Sequence, residues 1–326
     1  MARTLTSVEF CAGAGGQALG LEQAGFKHKL LVDNDPHCIN TLKENRPKWN
    51  SLLADMADIS GQKYRGVDLF AAGLPCPPFS VAGKQLGEKD ERNLFPHALR
   101  LIKEMDPKFV LIENVRGFLG PVFEEYRNIL KQEFQSLGYQ VEWKLLQSSD
   151  YGVSQLRPRV AIIAAKADYW PHFSFPLPHK KKPQPVGRLL HDLMKENGWG
   201  GADDWAENAP TIAPTIVGGS KKHGGPDLGP TRAKKAWLEL GVNGMTIAEE
   251  APDKGFNGTP RLTVKMVARI QGFPDTWTFT GRKTNAYRQV GNAFPPPVAY
   301  ALGNAINMAI RASESQIAAT TQVAAE

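Results

Sequence analysis

A cysteine held between prolines follows a short apolar run in the first quarter of the chain. Cys76 lies in the sequence Leu-Pro-Cys-Pro-Pro-Phe-Ser, directly after the apolar run at residues 67–73. The run predicts a buried strand, and open α/β sheets place their chemistry just beyond the carboxyl ends of their strands. A cysteine thiolate is a strong nucleophile, and nearby positive charge lowers the free thiol pKa of about 8.5. The pattern favours covalent catalysis, although a lone cysteine also serves as a small core residue.

A carboxylate follows another apolar run, and two arginines come just before a further one. Glu113 ends the run at residues 109–112, and a carboxyl group there is costly to desolvate without partners. Partial burial would raise its pKa, so that it could donate a proton at neutral pH; a structural ion pair is the alternative. Arg157 and Arg159 share one face of an extended segment. They could hold a carboxylate, a phosphate or a pyrimidine carbonyl, or form a solvated strand edge.

Three glycines, Gly13, Gly15 and Gly16, lie between an apolar run and an amphipathic stretch. They permit a tight turn and let a ligand approach the backbone closely. Asp33 ends the next apolar run, about 20 residues on, where related folds hold ribose hydroxyls, and Asp55 ends the run after that. Carboxylates around a glycine turn suit a cationic, adenosine-bearing ligand such as S-adenosylmethionine better than a pyrophosphate. Capping of helices is the alternative role for these acids.

The elements that must position these residues alternate along the first 165 residues, which predicts an α/β fold with a doubly wound, mostly parallel sheet. Predicted strands lie at residues 8–11, 29–32, 52–54, 67–73, 109–113, 140–146 and 160–165. Predicted helices follow the glycine turn, begin near Pro36, and cover about 94–105 and 122–137, with helical periodicity again at 262–270 and 298–310. The stretch from about Ser313 is small and polar, so we expect it to fray.

The composition and periodicity of the sequence change near residue 170. Residues 171–260 include 13 Gly and 11 Pro with little helical periodicity, and they carry basic clusters at residues 180–182, 221–223 and 232–235. A disordered linker would have this composition. Trp199, Trp205, Trp237 and the pair Ile216-Val217 argue against a linker, because they supply apolar surface for a small core. We therefore expect a folded, loop-rich second domain.

Composition limits the class of protein. The chain has 326 residues, a net charge of +6 and a pI of about 9.1, which favours a polyanionic partner without establishing one. Three cysteines suggest no disulfide framework and fit a reducing cytoplasm. The N-terminus lacks the apolar core of a signal peptide, and no stretch has the length of a membrane span.

The order of these motifs resembles that of the cytosine-5 DNA methyltransferases, in the bacterial restriction-modification style, over nearly the whole chain. The resemblance implies a Rossmann-like, S-adenosylmethionine-dependent catalytic domain at residues 1–178 and 284–326, and a smaller, loop-rich target-recognition domain at residues 179–283. The matching blocks are Gly13-x-Gly15-Gly16, Pro75-Cys76, Glu113-Asn114-Val115, Gln155-x-Arg157-x-Arg159, Arg261-Leu262-Thr263 with Arg269 to Pro274, and Gln289-Val290-Gly291-Asn292-Ala293.

The resemblance also implies catalytic roles. Cys76 would add to carbon 6 of a cytosine flipped out of duplex DNA. Glu113 would hydrogen-bond ring nitrogen 3 and the exocyclic amine. Arg159 would hold the base carbonyl, and Arg157 would lie near the flipped nucleotide's backbone or Glu113. Carbon 5 would then take the methyl group, and loss of its proton would expel Cys76.

Binding residues follow from the same resemblance. The implied cofactor residues are Gly13, Ala14, Gly15, Gly16, Asp33, Asn34, Asp55, Met56, Pro75, Asn292 and Ala293. The expected DNA contacts are Ser80, Gly83, Lys84, Gln85 and Arg92 in a mobile loop, and Thr215, Lys221, Lys222, Arg232 and Lys234 in the recognition domain. The helix at residues 263–270 would support that domain.

The resemblance also implies a cofactor and a macromolecular partner. S-adenosylmethionine would be consumed, with S-adenosylhomocysteine as product and no metal. The partner is double-stranded DNA. We expect a cytoplasmic monomer, bacterial or phage-encoded, either solitary or paired with a restriction endonuclease that acts on the same site. The sequence does not reveal the DNA site.

Two residues depart from the family pattern. Cys11 stands where the family usually has a phenylalanine against the adenine, so that stacking contact is in doubt. Pro77 stands where a glutamine is frequent, which excludes a glutamine contact with DNA at that position.

Three other classes of protein share parts of the pattern. A sister class that methylates transfer RNA carries a Cys-Phe-Thr signature, which none of the three cysteines of this chain supplies. A catalytically silent DNA-binding relative would lack Cys76 or Glu113. A nicotinamide dehydrogenase would explain the glycine turn but not the cysteine segment or the two arginines.

Overall fold

The computed structural model describes residues 3–74, 93–219 and 225–325, with side chains to residue 320. Its strands are β1 (Leu5–Phe10), β2 (Phe26–Asp33), β3 (Ser51–Leu53), β4 (Leu69–Gly73), β5 (Phe109–Val115), β6 (Tyr139–Gln147) and β7 (Pro158–Lys166). They form a seven-stranded sheet in the order β3-β2-β1-β4-β5-β7-β6. The first five strands are mutually parallel, and β7 runs antiparallel to both β5 and β6. The predicted doubly wound, mostly parallel sheet is confirmed.

Ten α-helices surround or follow the sheet within the described residues. They are α1 (Gly16–Gln23), α2 (Pro36–Asn45), α3 (Phe95–Met105), α4 (Glu124–Ser136), α5 (Val186–Lys195), α6 (Ala202–Glu207), α7 (Thr231–Leu238), α8 (Val264–Gln271), α9 (Lys283–Asn292) and α10 (Pro296–Ala325). Helices α1 to α4 connect successive strands, as the alternation in the sequence predicts.

Side chains of alternate residues in β5 fill two different cores. Val110 and Ile112 pack in the cluster that contains α3 and α4, whereas Phe109 and Leu111 pack in the cluster that contains α1 and α10. Successive side chains of a strand point to opposite faces of the sheet. Because helices cover both faces, the strand is an unbroken apolar run.

The Gly- and Pro-rich region contributes to a buried core that also includes Leu19 of α1. Trp199, Trp205 and Trp237 are buried in a cluster with residues of α5 to α9, and Ile216 joins them. Val217 does not, since 43% of its surface is exposed. Helices α5, α6, α7 and α9 were not predicted, because helices of 6–10 residues are too short to show a clear period.

The expected fraying from Ser313 is wrong. Helix α10 continues to Ala325. Ser313 Oγ donates to the Asp168 carbonyl oxygen at 2.9 Å and Glu314 lies 2.5 Å from both Arg3 and Lys108, so these two polar side chains hold the helix where the stretch begins, while residues 315–320 are exposed. None of the described helices is both long and apolar enough to cross a membrane.

Candidate active site

The carboxyl ends of β1, β2, β4 and β5 meet at one edge of the sheet because these strands are parallel. Glu113 is in register with Gly73 on β4, and Gly73 precedes Cys76 by three residues in the sequence. Pro75, Cys76, Pro77, Ser80, Gly83, Lys84, Gln85, Arg92, Lys221 and Lys222 lie outside the described residues. The described part of the site is therefore the edge formed by β1, β2, β5 and the start of β7.

The glycine turn between β1 and α1 has a backbone that other residues adopt with difficulty. Gly13 has φ +53° and Gly15 has φ +85°. A Cβ on Gly15 would lie 2.7 Å from Leu42 Cδ2, and one on Gly16 would lie 2.2 Å from the Phe294 carbonyl oxygen. Glycine is therefore required here both by conformation and by space.

Asp33 is tied to the glycine turn by its side chain. Its carboxylate accepts the Gly13 backbone N–H at 2.8 Å and the Asp35 backbone N–H at 2.8 Å. The side chain thus fixes the turn against β2, and the structure brings together two of the predicted cofactor positions. Asn34, beside it, is exposed, and Ala14 is buried.

The second acid predicted at the cofactor site, Asp55, lies by two sulfur-bearing side chains. Exposed Asp55 accepts the Ala57 backbone N–H at 2.9 Å, so it does cap a short turn, the alternative that the sequence left open. Met56 is buried, with its Sδ 4.0 Å from Cys11 Sγ. Burial, and then the charges of Asp33, Asp55 and Glu9, raise the pKa of the Cys11 thiol far above its ordinary value.

Sequence reasoning missed the buried carboxyl group of Glu9. Glu9 lies on β1 with 1% of its surface exposed, and burial first, then the charge of Asp33, raises its pKa well above the ordinary value. A glutamate inside an otherwise apolar strand was the available signal. Within the described ranges, no group of three His, Cys, Asp or Glu side chains could hold a metal ion.

Glu113 and Arg159 form an ion pair at the ends of β5 and β7. Arg159 Nε lies 2.7 Å from Glu113 Oε1, and both side chains are largely buried. Burial raises the pKa of Glu113 above its ordinary value, although the charges of Arg159 and Arg157 oppose that rise. The predicted raised pKa and the alternative ion pair are therefore both present in one carboxyl group.

Arg157 is fully buried. Its guanidinium donates to the carbonyl oxygens of Ile216 at 2.7 Å, Gly291 at 2.8 Å and Ala293 at 3.0 Å. The sequence did not predict these bonds, which give Arg157 a structural task. A direct contact between Arg157 and a flipped nucleotide stays a prediction.

Two further side chains, Gln155 and Gln271, surround Arg157 and were not predicted as functional. Gln155 Nε2 donates to Gln271 Oε1 at 2.5 Å, and its own Oε1 accepts the Ile216 backbone N–H at 2.8 Å. Both glutamines are fully buried. Their places in the motif blocks were the only signal, because their partners are distant in the sequence.

The predicted DNA contacts within the described residues differ in their availability. Thr215 Oγ1 donates to the Leu156 carbonyl oxygen. Arg232 is exposed on α7, whereas Lys234 Nζ lies 3.3 Å from Asp227 Oδ2. Exposed Asn292, predicted at the cofactor, donates from Nδ2 to the Gly219 carbonyl oxygen at 3.3 Å.

The sheet order and the site at its carboxyl edge define the Rossmann-like, S-adenosylmethionine-dependent methyltransferase fold. The sequence model described as C-5 cytosine-specific DNA methylase matches residues 5–308. The chain therefore belongs to the C-5 cytosine-specific DNA methylase family, which confirms the family that its motifs predict.

Individual relatives agree with this assignment. The chain is 53% identical over 309 residues to the type II methyltransferase M.NgoMIV of Neisseria gonorrhoeae, covering 94% of this chain and 98% of that protein. It is 52% identical over 314 residues to the type II methyltransferase M.NaeI of Lentzea aerocolonigenes, covering 94% and 76% respectively. Among solved structures, the Entamoeba histolytica methyltransferase EhMeth has a TM-score of 0.65 at 16% identity, covering 94% of this chain and 98% of that one, which supports the fold alone.

Proposed function

We propose that Cys76, Glu113 and Arg159 carry the cytosine-5 methyl transfer of this chain, on a base flipped out of a short, specific duplex site. The observation that carries the proposal is the Glu113–Arg159 pair. It lies at the edge of the sheet that also holds the glycine turn, and Glu113 is in register with Gly73, three residues before Cys76. A nucleophile, an acid and a base-binding guanidinium would then converge on one pyrimidine.

The glycine turn and its acids fit S-adenosylmethionine. Leu42 and Phe294 fill the space beside Gly15 and Gly16, whereas nothing lies within 4 Å of a Cβ on Gly13, so a ligand could approach the backbone at Gly13. The charges of Asp33 and Asp55 both act on Cys11, so the two carboxylates lie close to the same point and suit a cationic ligand. Ribose would bind Asp33 and adenine would lie by Asn34, Asp55 and Met56. Pro75, Asn292 and Ala293 would bind the methionine part.

The chain's own groups would act in sequence. The Cys76 thiolate adds to carbon 6, which forms an S–C bond and moves electron density onto carbon 5. Protonated Glu113 donates toward ring nitrogen 3 and so stabilises that density, while Arg159 holds the base carbonyl. When bound, S-adenosylmethionine would supply an electrophilic methyl group to carbon 5, with the thioether of S-adenosylhomocysteine as the leaving group. Carbon 5 then loses its proton to solvent, the S–C6 bond breaks, and the thiolate is restored.

The electrostatics of Glu113 support its role as a donor. Burial raises the pKa of this carboxyl group and exceeds the opposing effect of the two arginines. A raised pKa keeps the proton on the carboxyl group at a higher pH than in water. Flipping the base costs a few kcal/mol of stacking and pairing, which DNA contacts from Thr215, Lys221, Lys222, Arg232, Lys234 and the segment from Ser80 to Arg92 would offset.

The proposal also extends to the domain bounds, the oligomeric state, the location and the biological role of the chain. The catalytic domain would comprise residues 1–178 and 284–326, and the recognition domain residues 179–283. The chain would act as a cytoplasmic monomer in a bacterium or phage, and would protect DNA from an endonuclease of the same site or act alone. The name "type II methyltransferase" of two relatives that cover 94% of the chain supports the restriction-modification role.

Transfer of tritiated methyl groups from S-adenosylmethionine to unmethylated plasmid DNA tests the proposal. We expect Cys76→Ser to lower the rate by at least about 10³-fold, because the hydroxyl is a far weaker nucleophile than the thiolate. Cys38→Ser, at a buried thiol of α2, should keep the wild-type rate. Bisulfite sequencing of the product locates the methylated cytosine.

Two outcomes would contradict the proposal. Wild-type rates in Cys76→Ser would exclude the covalent mechanism. Transfer to transfer RNA, with none to plasmid DNA, would exclude the DNA substrate and favour the sister class.

A further inference from the structure

The Arg157 guanidinium joins two backbone segments that the proposed function assigns to different ligands. The recognition segment (residues 213–219) includes Thr215, a proposed DNA contact, and the cofactor-edge segment (residues 290–293) includes Asn292 and Ala293. Arg157 donates to Ile216 in the first segment and to Gly291 and Ala293 in the second, at 2.7–3.0 Å. One fully buried cation therefore fixes the distance between the two segments.

The two buried glutamines connect the same pair of segments. Gln155 accepts the Ile216 N–H at 2.8 Å and donates to Gln271 at 2.5 Å. Gln271 in turn donates to the carbonyl oxygens of Val290 at 3.0 Å and Ala293 at 3.2 Å. Ile216 is thus held at both its N–H and its carbonyl oxygen, and every link in this chain of bonds is shielded from water.

The segments also touch directly, without room for a side chain. A Cβ on Gly218 would lie 2.5 Å from Asn292 Oδ1 and 2.7 Å from the Arg288 carbonyl oxygen. A Cβ on Gly291 would lie 2.4 Å from Gly218 Cα. A displacement of either segment must therefore be transmitted to the other, because close-packed backbones do not deform continuously.

Arg157 is also electrically coupled to the proposed reaction centre. It precedes Arg159 by two residues. Burial raises the pKa of Glu113, and the charges of Arg159 and Arg157 oppose that rise. The residue that fixes the two binding segments thus also acts on the group that would protonate the base.

We propose that Arg157 is a positioning residue that couples the recognition segment to the cofactor-edge segment, so that cofactor binding and DNA binding strengthen one another. The inference rests on the proposed assignment of Asn292–Ala293 to the cofactor and of Thr215 to DNA. The coupling itself requires no contact between Arg157 and either ligand. Coupling of this kind is reciprocal, so it can be measured from either ligand.

Calorimetric titration of the full chain with S-adenosylhomocysteine, with and without saturating unmethylated plasmid DNA, tests the inference. We expect DNA to tighten S-adenosylhomocysteine binding to the wild-type chain at least about fivefold, which is an ordinary coupling for two linked sites. Arg157→Lys keeps the charge but lacks the planar fork that reaches three carbonyl oxygens, so the factor should fall below about twofold. Arg127→Lys is the matched control, since Arg127 also donates to two carbonyl oxygens, of Phe118 and Gly120, and these belong to neither of the two coupled segments.

A second variant tests the same coupling without altering a buried charge. Gly218→Ala would push the recognition segment away from Asn292 and should also reduce the factor below about twofold. Gly200→Ala is its control, because nothing lies within 4 Å of a Cβ there. If Arg157→Lys does not fold, Gly218→Ala decides alone.

The outcomes separate this inference from the proposed function. A wild-type chain that binds both ligands without coupling, or a folded Arg157→Lys or Gly218→Ala chain that keeps the wild-type factor, overturns the inference and leaves the proposed function intact. A purely structural role for Arg157 would lower thermal stability but leave the factor unchanged. A wild-type chain that does not bind S-adenosylhomocysteine overturns the proposed cofactor and the inference together.

Discussion

The ionisation of Glu113 is set by burial and by two nearby guanidinium groups. Burial raises the pKa of the carboxyl group, and Arg159, 2.7 Å away, and then Arg157 act against it. Removing one of these guanidinium groups destabilises the ionised form of Glu113, so the carboxyl group keeps its proton to a higher pH. The pH dependence of methyl transfer should therefore report on Arg159.

Arg159→Met tests this dependence. We expect the pH above which methyl transfer declines to move upward, because the pKa of Glu113 rises further without Arg159. The rate at the optimum should fall about 10²-fold, since a donor to the base is lost. Single-turnover transfer measured across pH gives both quantities, with exposed Arg188→Met as control. An unchanged pH profile would show that Arg159 does not act on Glu113.

Gly15→Ala tests the glycine turn against a glycine of similar backbone angle. Gly15 has φ +85° and Gly66 has φ +78°, so an alanine should cost about 1 kcal/mol of stability at either position. Only at Gly15 would the new Cβ meet a neighbour, Leu42 Cδ2, at 2.7 Å. We expect Gly15→Ala to weaken S-adenosylhomocysteine binding at least about tenfold in calorimetry, and Gly66→Ala to leave it unchanged. Equal affinities for the two variants would place the cofactor elsewhere.

At the scale of elements, a buried histidine ties β1, β2 and α1 together beneath the glycine turn. His28 Nε2 lies 2.9 Å from the Ala18 carbonyl oxygen and Nδ1 lies 2.8 Å from Ser7 Oγ. A carbonyl oxygen only accepts, so the Nε2–H donates to it and Nδ1 accepts from the Ser7 hydroxyl. Burial lowers the pKa of His28 to about 4, although its bond to Ala18 opposes the shift.

The lowered pKa predicts a loss of stability in acid. The unfolded chain takes up this proton near pH 6.5, before the folded chain does, so stability decreases as pH falls from about 6.5 to about 4. For His28 alone the loss between pH 7 and pH 5 is about 2 kcal/mol. Urea unfolding at pH 7 and at pH 5 measures this loss. Between the two pH values, the free energy of unfolding of His28→Gln should change by about 2 kcal/mol less than that of the wild type. Partly exposed His172→Gln should behave as the wild type; equal pH dependence in all three would contradict the assignment.

The elements that the sequence predicted are those with long, uniform patterns. All seven strands of the sheet were predicted near their observed positions. The central strands β4 and β5 carry apolar runs because helices cover both faces, whereas β6 alternates between exposed and less exposed residues over much of its length. Helices α5 to α7 and α9 were not. Helices α5 to α7 each follow a proline or glycine, at residues 185, 201 and 230, and such residues suggest loops when the period after them is short.

At the scale of the whole molecule, the net charge is +6, but the individual basic side chains are not equally free to bind DNA. Arg232 is exposed, whereas Lys234 is paired with Asp227 at 3.3 Å, although the sequence predicted both as DNA contacts. A cation that neutralises a phosphate adds about 0.9 to the slope of log affinity against log salt. Free and paired cations should therefore contribute differently.

Plasmid binding measured from low to high salt tests this difference. We expect Arg232→Ala to reduce the slope by about 0.9 and Lys234→Ala to change it by less, because Asp227 already neutralises that lysine. Lys265→Ala, at a lysine paired with Glu196 in the same domain, serves as the control. A larger effect at Lys234 than at Arg232 would mean that DNA displaces Asp227.

The sequence by itself determined the family, the order of the strands and helices of the first 165 residues, and most of the residues proposed for chemistry. These features depend on side-chain type and local spacing, which a sequence displays directly. It also determined that Asp33 lies with the glycine turn, since both follow adjacent strands of a parallel sheet. It placed Glu113 on the same edge as Cys76 on condition that their strands are near neighbours, and the pairing of β4 with β5 in the structure supplies that condition.

Only the tertiary structure decided what Arg157 and its two glutamines do. Arg157 bonds to carbonyl oxygens 59, 134 and 136 residues away, and every residue carries such an oxygen, so no residue type marks the partners. The same holds for Gly218 against Gly291, where the contact is between two backbones. The chemistry of a side chain could be predicted from the sequence. Which backbone atoms it bonds to could not, because that depends on how distant parts of the chain pack together in the folded protein.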